Sequence, residues 1–173
     1  MSLIFAPLRK GMKKSAFACG ETALDDYLHR QARQDMERGF ATVIVAAEAA
    51  TPETVVGFYT LNASAILLPD IPEDLRKKLP RYPAVPAILL GRLAVSGECQ
   101  GRHIGTLLVL DALARACRNE LAWAVFCVAA KNKRAAAFYE KMLFKPFQDR
   151  AQSLWMHRKQ AEAIVSALGA DGY

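Results

Sequence analysis

The stretch Leu90-Gly91-Arg92-Leu93-Ala94-Val95, followed after a short loop by Gln100-Gly101-Arg102-His103-Ile104-Gly105, constrains this chain more than any other part. An apolar strand empties there into a glycine-flanked helix start. The helix is predicted to run to about residue 118 and leads into a second apolar run over residues 121–130. Two strands joined through a helix are expected to lie parallel, with a right-handed crossover. The first N–H groups of a helix lack intrahelical acceptors, and with the helix dipole they favour a pyrophosphate. The turn therefore reads as a nucleotide-phosphate site in outline, although standing alone it is better read as an ordinary strand-to-helix connection.

The rest of the chain supplies a sheet and its covering helices. Residues 3–8 read as a first strand. Thr22 with Asp25 three residues later suggests a helix N-terminus, and Leu24, Tyr27, Leu28, Ala32 and Met36 recur at near-helical spacing, predicting a helix over 22–38. Residues 41–48 and 54–62 are rich in valine and aromatics and should form an antiparallel hairpin. Five prolines between Pro69 and Pro86 break the pattern, leaving room for a short helix near 73–78 before a strand over 87–95. Asn132, a favoured N-cap residue, opens a helix with Ala135, Phe138, Tyr139 and Met142 on one face. Short strands over 144–147 and 152–157 and a helix over 159–168 close the chain, with 169–173 expected to fray. Asp111 falls inside the apolar arc of the 104–118 helix and, if buried, must be hydrogen-bonded.

A length of 173 residues fits one domain spanning 1–173, with a core that needs no staples. Hydrophobic content of 53% and charged content of 23% are globular values, and no apolar run approaches the roughly 20 residues of a membrane span. The basic start lacks the long apolar core of a secretory signal, so a cytoplasmic address is expected. Cys19, Cys99, Cys117 and Cys127 have neither zinc-site spacing nor disulfide density and read as free thiols, with no metal implied. The net charge of +6 favours an acidic partner: a phosphate-bearing nucleotide, nucleic acid or an acidic protein.

About 30 residues beyond the turn come Asn132, Ala135, Phe138, Tyr139, Glu140, Lys141 and Phe144. Together the two segments resemble the acetyl-CoA-binding motifs of the GNAT acetyltransferases. The resemblance implies an α/β (α+β) fold, with a central mixed, mostly antiparallel sheet, helices on both faces and a parallel strand pair opening around acetyl-CoA. It implies that the backbone of Leu93, Ala94 and Val95 pairs with the pantetheine arm, one N–H polarising the thioester carbonyl. It further implies that the turn residues Gln100, Gly101, Arg102, His103, Ile104, Gly105 and Thr106 receive the phosphates. His103 stands where glycine is usual, either as a bystander or, when protonated, as a phosphate contact. Asn132 is either a helix cap or a CoA contact. Read alone, Tyr139 is a core aromatic; within the resemblance its phenol protonates the departing CoA thiolate.

The resemblance covers nearly the whole chain. Phe17, Cys19-Gly20, Leu24-Asp25, Tyr27-Leu28, Gly57-Phe58-Tyr59-Thr60-Leu61, Leu89-Leu90-Gly91-Arg92-Leu93-Ala94-Val95 and Ala135-Ala136-Ala137-Phe138-Tyr139 look like the GNAT toxins of bacterial toxin-antitoxin pairs. Those enzymes acetylate the α-amine of aminoacyl-tRNA and block translation, and they are neutralised by a small ribbon-helix-helix antitoxin. Leu143, in place of the glycine expected before Phe144, departs from the pattern. No general base stands out, Glu98 and Glu140 being ordinary surface candidates. An aminoacyl ester amine, weakly basic and partly neutral near pH 7, needs little more than positioning. Three basic clusters, 9–14, 30–38 and 76–81, are either solvated faces or contacts for an RNA backbone, with Lys77 and Lys78 the residues chosen to represent such contacts. Arg92, charged inside an apolar strand, must face a cleft or a partner and is assigned to the acceptor end of the tRNA. A homodimer is compatible with the chain. The competing readings are a GNAT enzyme acting on a protein or small amine, and a non-catalytic module that binds CoA or RNA.

Overall fold

The computed structural model describes residues 2–67, 70–80, 82–148 and 150–170. The chain divides into two compact units, Met1–Asn62 with Gly91–Ala112, and Ala63–Leu90 with Leu113–Tyr173. One seven-stranded sheet has the hydrogen-bonded order β1-β2-β3-β4-β5-β7-β6.

In the first unit β1 (Leu3–Pro7) pairs antiparallel with β2 (Thr42–Glu48), and β2 pairs antiparallel with the start of β3 (Gly57–Leu67), as the hairpin reading requires. The helical stretch after Gly20 is not one regular helix. It runs as α1 (Thr22–Asp26), a π-helical turn over Tyr27–Gln31, and α2 (Ala32–Glu37). The wider turn buries Tyr27 and Leu28 against Phe17, Val43, Val45 and Phe58 in this unit's core. Thr22 is already helical and does not cap; Asp25 reaches back instead, accepting the Cys19 N–H at 2.8 Å.

In the second unit the part of β4 (Ala84–Val95) up to Leu90 pairs parallel with β5 (Val125–Ala129), Ala87 opposite Val125 and Leu90 opposite Val128. The parallel pair read from the sequence is therefore present. β5 pairs antiparallel with β7 (Arg150–His157), and β7 with the short β6 (Lys145–Phe147). The strand expected over 121–130 starts only at Val125. Leu121 is exposed, and Trp123 is buried with its indole N–H donating to the Ala116 carbonyl at 2.9 Å. α3 (Glu73–Arg76), α5 (Lys133–Lys141) and α6 (Arg158–Ala170) complete the elements of this unit, α5 and α6 packing on β7. Of the segment 169–173 expected to fray, Gly169 and Ala170 are helical, since α6 continues through Ala170; residues 171–173 lie outside the described residues.

Candidate acetyl-CoA site

α4 (Ile104–Arg118) begins on two fully buried anchors, Ile104 and Leu108, and that seating fixes the height of its N-terminus. Gly57 at the start of β3 allows the close approach: a Cβ there would lie 3.1 Å from Leu108 Cδ1 and 3.3 Å from the Ala94 carbonyl oxygen. The turn ahead of the helix is held by a relay of hydrogen bonds. The Asp25 carboxylate takes the Cys19 N–H, and the Gln100 side-chain amide donates to the Cys19 carbonyl at 2.9 Å and to the Val95 carbonyl at 3.1 Å. Gly97 N–H donates to the Ala18 carbonyl at 2.8 Å. Both amide hydrogens of Gln100 are thus spent on protein, so its side chain positions the turn, and any ligand contact by its NH₂ group would break this lock.

The ladder of α4 opens with the Leu107 N–H donating to the His103 carbonyl at 3.2 Å, so the amides of Ile104, Gly105 and Thr106 precede its first bond. Gly101 and His103 both adopt left-handed backbone, at φ 76° and φ 59°. The glycine usual at the latter position is thereby explained, since a Cβ in that region costs about 1–2 kcal/mol. His103 is exposed. Arg102 is exposed as well and its guanidinium is 3.8 Å from the Glu48 carboxylate.

Arg92, three residues from the strand end, has its N–H taken by the Thr60 hydroxyl at 3.1 Å. Its half-buried guanidinium lies 3.9 Å from the centroid of the Tyr27 ring, which stacks in turn on Phe58 at 6.1 Å. Within the chain this charge rests on an aromatic face supplied by the π-helical turn, a contact the sequence reading did not foresee. Burial, then the nearby Asp35 carboxylate, push the Tyr27 phenol up to about 12 despite the opposing charge of Arg92. Asp111, the unexplained carboxylate of α4, is half-buried and accepts the hydroxyl of fully buried Tyr59 at 2.5 Å.

In the second unit, Asn132 is the N-cap of α5, its Oδ1 accepting the Ala135 N–H at 2.9 Å. The structure thus realises the capping alternative. Tyr139 is 5% exposed, its ring edge-on to Phe138 at 5.1 Å and to Phe144 at 5.7 Å. Burial alone raises its phenol well above the ordinary tyrosine value, so the group stays protonated at neutral pH. Leu143, at φ 70°, closes α5: its N–H donates to the Glu140 carbonyl at 2.9 Å and the Phe144 N–H to the Tyr139 carbonyl at 3.1 Å. That is the paired bonding of a Schellman cap, with the Tyr139–Phe144 ring contact as its apolar clasp. The departure from glycine at Leu143 therefore falls on a left-handed position.

The basic clusters are partly occupied. Lys13 pairs with Glu53 at 3.2 Å, and Lys14 donates to the Leu28 carbonyl at 2.9 Å. Arg33 pairs with Glu37 at 2.8 Å, and exposed Lys77 with Glu73 at 3.2 Å. Lys78 is exposed, and Arg81 of the third cluster lies outside the described residues. All four cysteines are free, as expected; burial pushes the Cys127 thiol up to about 12, and burial followed by the Asp25 hydrogen bond pushes Cys19 up to about 11. Among the described residues no cluster of potential metal ligands is present and no helix is long and apolar enough to cross a membrane.

Residues 9–144 match the acetyltransferase (GNAT) family. A tRNA-acetylating toxin of Mycobacterium tuberculosis is 32% identical over 153 residues, 87% of this chain and 89% of that protein. The solved structure of AtaT complexed with acetyl-methionyl-tRNAfMet superposes with a TM-score of 0.85 at 26% identity, covering 94% of this chain and 99% of that one. AtaTR bound with AcCoA gives a TM-score of 0.82 at 26% identity, covering 94% and 97%. With a parallel strand pair, an open helix start beyond one of its strands and a family match across most of its length, the chain belongs to the acetyltransferase (GNAT) family.

Proposed function

We propose that this protein transfers acetyl from acetyl-CoA to the α-amine of aminoacyl-tRNA and acts as a translation-blocking toxin in the cytoplasm, where that substrate is found. The observation that carries the substrate is the 32% identity, over 87% of the chain, to a tRNA-acetylating toxin. The chemistry draws on the chain's own groups. The amides of Ile104, Gly105 and Thr106, with the turn from Gln100 through His103, receive the CoA phosphates at a helix start. The backbone of Leu93, Ala94 and Val95 lines the pantetheine arm, and one of its N–H groups polarises the thioester carbonyl.

The neutral amine attacks that carbonyl, the C–N bond forms, the C–S bond breaks, and the amine loses its proton to water. Tyr139, kept protonated by burial, donates to the leaving thiolate and is reprotonated through water, so that the net transfer is of the amine's proton to CoA. Asn132 serves as a cap in this scheme, and Arg92, Lys77 and Lys78 face the RNA. The single acetyltransferase domain would be neutralised by an antitoxin of the ribbon-helix-helix class. The decisive experiment is incubation of the purified protein with acetyl-CoA and a mixed aminoacyl-tRNA pool, followed by mass spectrometry of the released amino acids. Acetylated amino acids support the reading, and acetylation confined to protein or free amines sinks it.

A further inference from the structure

Phe40 is a large aromatic left 69% exposed, yet its backbone is firmly held. The Phe40 N–H donates to the Asp35 carbonyl at 2.8 Å, the Asn62 side-chain amide donates to the Phe40 carbonyl, and Gly39 at φ 73° turns the chain just ahead of it. The same Asn62 lies against β4, since a Cβ on Gly91 would sit 3.6 Å from its Oδ1. The asparagine that holds the Phe40 loop thus stands beside Gly91, two residues ahead of Leu93. Two arginines belong to this region: Arg38 is exposed with no ion-pair partner among the described residues, and Arg92 lies half-buried over Tyr27, the ring on which the Asp35 carboxylate also acts.

An uncovered aromatic on a pinned loop, flanked by arginine, is the arrangement by which proteins hold unpaired bases, the ring stacking and the cation taking phosphate. Resting on the function proposed above, we infer that Phe40 stacks on an unpaired base at the 3′ end of the RNA substrate, with Arg38 on the adjoining phosphate. Stacking secures the acceptor end next to the strand that leads into the acetyl-CoA turn, whatever amino acid it carries.

The test uses the full chain with two readouts. Binding of uncharged tRNA is followed by fluorescence anisotropy for wild type, Phe40→Ala, Phe40→Leu, Phe40→Trp and Arg38→Ala; acetylation is followed with aminoacyl-tRNA and with an amino-acid methyl ester, which has no base to stack. Phe40→Ala and Phe40→Leu should weaken RNA binding about tenfold, and Phe40→Trp should restore it. Arg38→Ala should weaken binding and lower its salt slope by about one. KM for aminoacyl-tRNA should rise with the loss of binding while turnover of the methyl ester stays unchanged. Wild-type RNA affinity in Phe40→Ala overturns the inference, as does an equal loss with both acetyl acceptors. If no aminoacyl substrate is acetylated by the wild type, the proposed function falls, and the anisotropy series still decides whether Phe40 holds RNA.

Discussion

Tyr139 and Leu143 sit at opposite ends of one helix cap, and each makes a separate claim. Tyr139→Phe keeps the ring contacts to Phe138 and Phe144 and removes only the hydroxyl. General acid assistance is worth about 10²- to 10⁴-fold, so turnover should fall at least tens-fold while acetyl-CoA affinity and melting temperature barely move. Near-wild-type turnover would return Tyr139 to the core. Its pH behaviour has a definite sign. Burial raises the phenol's pKa above the unfolded value of about 10, so the donor is fully protonated below that value and is lost only as pH rises through the higher folded one. Turnover between about pH 6 and 9 should therefore rise as the substrate amine deprotonates and then level off; a fall within that window would assign the acid to another group. Leu143 is 57% exposed and held at φ 70°, so Leu143→Gly relieves about 1–2 kcal/mol of left-handed strain against about 0.5–1 kcal/mol of added chain entropy. The net gain of up to about 1.5 kcal/mol should raise the melting temperature by no more than about 6 °C, and a fall in melting temperature would remove the strain argument.

At the scale of elements, the turn ahead of α4 is held from outside itself. Asp25 on α1 fixes Cys19, and Gln100 spans from Cys19 to Val95, so the turn's geometry depends on a carboxylate far away in sequence. Either Asp25→Ala or Gln100→Ala should raise KM for acetyl-CoA about three- to tenfold with little change in kcat, and the double variant should be less than additive because both remove one relay. Additive effects on KM would show the two groups acting separately. This relay marks where the sequence is legible and where it is not. The strand, turn and helix start from Leu90 to Gly105 are local patterns, readable because periodicity and glycine placement are local. So is the Asn132 cap. Asp25 and Asp111 are not legible in that way, because each is explained by a partner elsewhere in the chain, the Cys19 N–H for one and the Tyr59 hydroxyl for the other. The π-helical turn hides because its widening preserves the apolar recurrence of a helix. β3 extends to Leu67 through Ala63-Ser64-Ala65, residues whose weak strand preference gave no signal for the extension. β5 is shorter than its apolar run because Trp123 turns inward to bond the end of α4.

For the whole molecule, the net charge of +6 predicts attraction to any polyanion, so the useful question is which cations act locally. Ion pairing already occupies Lys13, Arg33 and Lys77, each within 3.2 Å of a carboxylate, and exposed pairs of this kind are worth little in water. A phosphate can therefore recruit Lys77 at small cost, and the like charge of Lys78 nearby contributes to keeping His157 below its ordinary value, after burial. Reversing both charges in Lys77→Glu with Lys78→Glu should raise KM for aminoacyl-tRNA several-fold and leave KM for acetyl-CoA unchanged. For every phosphate that the variant no longer neutralises, the dependence of log affinity on log salt should also flatten by about 0.9. Measuring KM for both substrates at low and high salt separates two outcomes. A tRNA-specific rise with a flatter slope places the 76–81 cluster on the RNA, whereas a uniform shift with an unchanged slope leaves it as solvated surface and concentrates RNA recognition on Arg38, Phe40 and Arg92.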